Sequence, residues 1–67
     1  MVYHVEFDRE DDGRWIAEVP ELPGVLVYGA SRQEAEQKVQ ALALRVLADR
    51  VEAGQHPGSI ELSFAAA

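Results

Sequence analysis

Polar and apolar residues alternate along the start of the chain. Tyr3, Val5 and Phe7 fall on one side, and His4, Glu6 and Asp8 on the other. Period two with β-branched and aromatic residues predicts a half-buried strand over residues 2–9. The alternation resumes over 14–19, where Trp15, Ala17 and Val19 oppose Arg14, Ile16 and Glu18. Between the runs lies Asp12-Gly13, a strong hairpin signal because both residues tolerate positive φ. The two runs therefore predict an antiparallel hairpin with one apolar face. Pro20-Glu21-Leu22-Pro23-Gly24 cannot continue the ladder, since each proline lacks an amide donor. A third strand is predicted at Val25-Leu26-Val27-Tyr28, apolar on both sides. That is unusual where one face of a sheet meets water.

Gly29-Ala30-Ser31 ends this strand, and Ser31 with Glu34 fits the capping box S-x-x-E. The Ser31 oxygen is expected to accept from the Glu34 amide, and the Glu34 carboxylate to reach back to the Ser31 amide. Gly29 is expected to supply an unusual φ just before the helix. The spacing predicts a helix from about Arg32 to Ala53, closed by Gly54 as C′ residue and kept from restarting by Pro57. Its core stripe is Ala35, Val39, Leu42, Ala43 and Val46, with Leu47 at the margin. Leu44 and Val51, seven residues apart, stack well outside that stripe and suggest a contact surface. A last strand is predicted over Ser59–Phe64, with Ile60, Leu62 and Phe64 on one face. The three alanines from Ala65 to Ala67 are expected to fray.

The order is βββαβ: one α+β domain spanning 1–67, with no internal repeat. A right-handed crossover places the last strand beside the first. The expected architecture is a four-stranded mixed sheet in the order 3-2-1-4, covered on one face by a single long helix.

Length sharpens the picture. A chain of 67 residues buries only about 60% of the surface it exposes when unfolded. It has no cysteine, so no disulfide supports it, and oligomerisation is the remaining common way to stabilise so small a core. Six basic against twelve acidic residues give a formal charge of −6. That repels nucleic-acid phosphates and suits a basic protein partner. No charged-then-apolar leader opens the sequence, and no run approaches the roughly 20 apolar residues that span a bilayer. The expected location is the cytoplasm.

Candidate chemistry is sparse. His4, Glu6, Asp8, Glu18 and Glu61 are expected on the open sheet face. Glu6, Glu18 and Glu61, on three adjacent strands, form a conceivable metal site for a nuclease; the simpler reading is a solvated outer face. His4 and His56 are too far apart in sequence to make a metal set by themselves. Trp15 is expected to fill the core beneath the helix. No nucleophile elbow or phosphate-binding glycine loop occurs. The expectation is no enzyme, no metal and no cofactor.

One combination of motifs is more specific. Asp12-Gly13, Trp15, Pro20 to Gly24, Gly29, Ser31 and Glu34-Ala35 together resemble the N-terminal domain of HicB-like antitoxins, over roughly residues 2–64. Val25 stands where that family often has cysteine, and Ala30 where it often has aspartate. The resemblance implies a partial ribonuclease-H-like fold without catalysis. It also implies a role in binding and neutralising a small basic ribonuclease toxin, HicA. Many relatives carry a DNA-binding segment after this domain; here the sequence stops at Ala67, so no direct DNA binding is expected. The alternative is an orphan homo-oligomeric binding module of the same fold. Interface candidates are Leu22, Val25, Leu26, Val27, Tyr28, Leu44, Leu47 and Val51. The segment Pro20–Gly24 is either a rigid connector or a device that presents Leu22 as an apolar knob.

Overall fold

The computed structural model describes residues 2–55 and 62–66. The chain runs β1 (Val2–Arg9), β2 (Trp15–Glu18), β3 (Leu26–Gly29), α1 (Arg32–Glu52) and β4 (Ser63–Ala66). The four strands form one mixed sheet in the order β3-β2-β1-β4. β2 is antiparallel to both β1 and β3, and β4 is parallel to β1. This is the βββαβ architecture that the alternating pattern predicts.

Each junction has a local cause. The β1–β2 turn is closed by the Gly13 amide donating to the Glu10 carbonyl at 2.9 Å, and by Glu10 donating to Arg14 at 2.8 Å. Only Gly13 takes positive φ there, at 90°. The loop is therefore longer than a two-residue mirror-image turn, with glycine at the one left-handed position.

Pro20 to Gly24 forms two consecutive turns. Leu22 donates to the Val19 carbonyl at 3.0 Å, and Val25 donates to the Leu22 carbonyl at 3.1 Å. Each proline occupies the second position of its turn, where its fixed φ is already correct. Gly24 follows Pro23 with φ of 85°, as the second turn requires.

The core lies between the helix and one sheet face. Tyr3, Val5, Ala17 and Val19 come from the strands, and Ala35, Val39, Ala43 and Leu47 from the helix, with Leu22 and Val25 from the turn. The four helical residues repeat every fourth position and make one ridge. Leu47 is thus core and not margin, while Leu42 and Val46 are half-buried beside it. Leu22 is 1% exposed and so is Val25. The double turn carries Leu22 inward as a plug, which corrects its reading as a presented knob. Leu22, Val25 and Leu47 are therefore removed from the candidate surface, and Val27 is half-buried against the core. Trp15 is also only half-buried, at the rim, with the Arg9 guanidinium 5.4 Å from its ring centre.

Gly29 has a different role from the one expected. Its φ is not positive. A Cβ there would stand 2.5 Å from the backbone nitrogen of Ala35. The edge strand and the first helical turn approach so closely that only glycine fits. β4 also differs: Ala65 and Ala66 pair with His4 and Val5, so they are strand residues and not a fraying tail. Pairing through the backbone needs no large side chain. His56, Pro57, Ser59, Ile60, Glu61 and Ala67 lie outside the described residues.

Gly29→Ala is expected to cost about 1–3 kcal/mol by overpacking against helix backbone. Urea unfolding measures it. A midpoint equal to the parent's contradicts the close approach.

Candidate functional site

The helix covers one face of the sheet, so the functional surface has to be sought on what it leaves open. The registers set the layout there. Glu6 stands opposite Glu18, and Glu18 opposite Leu26. In the neighbouring row Asp8 stands opposite Ile16, and Ile16 opposite Tyr28. Glu6, Asp8, Glu18, Leu26 and Tyr28 are exposed and Ile16 is half-buried. The open face thus carries an acidic strip on β1 and β2, and an apolar strip on β2 and β3. Like charges directly opposite each other in a sheet are destabilising. Among the described residues, the ion pairs are His4–Glu21, Arg14–Asp12 and Lys38–Glu34. None of them neutralises Glu6 or Glu18.

His4 is not a lone strand residue. The β1–β2 register, extended by two residues from Glu6 and Glu18, sets His4 opposite Pro20, where the ladder gives way to the turn. Glu21 supplies the missing acceptor. Its carboxylate accepts from the His4 amide at 3.1 and 3.2 Å and lies 2.6 Å from the ring Nδ1. The ring contact holds the Glu21 carboxyl below its ordinary value, helped by backbone donors. The clue in the sequence is Pro20 itself, which ends β2 pairing opposite a β1 residue that still needs a partner.

The helix start carries a second polar group. The Glu34 amide donates to Ser31 Oγ at 3.1 Å, as a capping box requires. The Glu34 carboxylate reaches the Ala30 amide at 3.3 Å instead of the Ser31 amide. It also pairs with Lys38 at 2.7 Å. Lys38 first, and then the Ala30 amide, hold the Glu34 carboxyl below its ordinary value. At the far end of the open face, Arg14 lies 4.6 Å from the centre of the Tyr28 ring and pairs with Asp12 at 2.7 Å. The backbone donor of Arg14, and then its side chain, hold the Asp12 carboxyl low. Neither the Arg14–Tyr28 stack nor the His4–Glu21 contact follows from the periodicity alone.

Leu26, Tyr28, Leu44 and Val51 are exposed at 42%, 43%, 48% and 45%. The first two lie on β3, whose outer edge has no strand partner among the described residues; the other two lie on the helix. Glu6 and Glu18 come together as expected, but Glu61 is outside the described residues. No group of three metal-ligating side chains converges among the described residues, and no helix there is long and apolar enough to cross a membrane.

No protein-family model, curated protein or solved structure matches the chain.

The three depressed carboxyls set a pH dependence. Each is more acidic folded than unfolded, so its contribution is complete above the unfolded pKa of about 4 and is lost as pH falls through the folded value. The melting temperature should therefore fall on acidification below about pH 4. Glu34→Gln should flatten that slope. An unchanged slope in the variant contradicts the contacts of the Glu34 carboxylate with Lys38 and the Ala30 amide.

Proposed function

We propose that this chain is a non-catalytic, HicB-like interaction domain that binds and neutralises a small basic HicA-like ribonuclease toxin in the cytoplasm. The observation that carries this reading is structural interdependence among the residues of the resemblance. Pro20 and Pro23 set two turns, Leu22 plugs the core, Gly29 admits the helix, and Ser31 with Glu34 caps it. These residues work as one unit, so their joint occurrence is more telling than any single motif. The acidic charge of −6 supports a basic partner and disfavours direct contact with DNA phosphates. Inhibition in this reading is stoichiometric: the domain occupies the toxin surface and performs no reaction.

A homo-oligomeric binding module is the second reading. The free edge of β3 favours it, since an unpaired apolar strand edge invites pairing with another chain. A twofold dimer through the free edge of β3, or through the Leu44/Val51 side of the helix, leaves Glu6 and Glu18 accessible.

Two experiments separate these readings. Expression of a small basic protein encoded next to this gene should arrest bacterial growth, and co-expression of this chain should restore it with a stable complex of the two. Growth arrest that persists despite soluble co-expression overturns the toxin reading. Sedimentation at micromolar concentration should give a dimer that Leu26→Lys or Leu44→Lys converts to monomer. A parent that sediments as a monomer overturns the module reading.

A further inference from the structure

We propose that the open face of the sheet is the docking face for a basic protein surface, one that places an arginine or lysine between Glu6 and Glu18 and an apolar side chain on Leu26 and Tyr28. This deepens the interaction-domain reading and rests on it for the partner's identity, though not for its chemistry.

The distribution of charge carries the inference. The helix holds four basic and four acidic residues, so its formal charge is zero. The whole −6 therefore lies outside the helix. Over residues 2–22 alone, seven carboxylates stand against two arginines. Both arginines are engaged at the rim: Arg9 over Trp15, and Arg14 over Tyr28 while paired with Asp12. Nothing cationic pairs with the centre of the face among the described residues, where Glu6 and Glu18 stand opposite each other.

A cation from outside fits that centre for two reasons. It converts a repulsive cross-strand pair into two charge-assisted hydrogen bonds. It also lies in the same row as Leu26, so an apolar neighbour on the partner is buried beside it. Long-range attraction from the surrounding carboxylates steers such a partner toward this face. Other occupants fit poorly. A second copy related by a twofold would set the acidic strip against the other acidic strip or, with the axis along the strands, against the apolar strip. Nucleic acid and an anionic membrane surface would both meet like charge.

The test uses the whole chain, labelled with nitrogen-15 for NMR, and a capped peptide alternating arginine and leucine as the probe. At low ionic strength, saturable shifts should gather at the amides of Glu6, Glu18, Leu26 and Tyr28. The double variant Glu6→Gln/Glu18→Gln should weaken binding about tenfold or more, the scale of losing charged hydrogen bonds. Glu36→Gln/Asp49→Gln on the helix should leave it unchanged. Shifts centred on the helix, or equal binding by the sheet double variant, overturn the proposal. So does a concentration-dependent change at this face without peptide, which would assign it to a second copy. Binding at the predicted face with no rescue of growth by this chain removes the toxin and leaves the docking face. Rescue that survives Glu6→Gln/Glu18→Gln with shifts elsewhere removes the docking face and leaves the toxin.

Discussion

The approach of the helix to the edge strand organises this molecule. Gly29 lets the backbone of Ala35 come within a distance that a Cβ would obstruct. From that contact the helix runs back over the sheet on a ridge of small and medium residues, Ala35, Val39, Ala43 and Leu47. Small side chains at the first and third positions keep the helix close, and close packing recovers dispersion contacts that a short chain cannot spare. With one helix among the described residues, one face of the sheet is covered. The position of the helix therefore also decides which residues remain in water.

The polar groups follow this division. No polar or charged side chain is buried among the described residues. The ion pairs and hydrogen-bonded carboxylates lie at turns, strand ends and the helix start, where they satisfy backbone donors that the ladders leave over. Exposed pairs of this kind contribute little net stability. What holds the fold is burial on the inner face, together with the Leu22 plug that seals the turn. The outer face is free of that duty, and its acidic and apolar strips are arranged by strand register alone.

Much of this was legible in the alternation of residues. β1, β2 and the helix follow from period-two and period-3.6 patterns with turn residues between them, β3 from an apolar run, and the sheet order from a right-handed crossover; of the last strand, predicted over 59–64, the described part is Ser63–Ala66. Other features were not legible, each for a definite reason. Leu47 falls at the margin of an ideal helical wheel, but the sheet it packs on selects the i, i+4 row. Leu22 sits among turn residues, and only the paired turns show that it points inward. Gly29 reads in the sequence as a conformational glycine, because sequence cannot show how close another segment comes. Ala65 and Ala66 carry no side-chain signal, and their strand is fixed by backbone pairing with β1. On the outer face, the facing of Glu6 and Glu18 required a register, and the partnership of His4 with Glu21 required the place where the ladder ends.

The acidic outer face plays no part in holding the fold, which leaves it free for the partner proposed above. The most direct measurement is the melting temperature of Glu6→Gln/Glu18→Gln against the parent at low ionic strength. If the face is idle in folding, removing two facing charges leaves the melting temperature unchanged or raises it, and any gain shrinks as salt screens the parent's repulsion. A clear fall in melting temperature for the double variant contradicts it, because those carboxylates would then be holding the structure together.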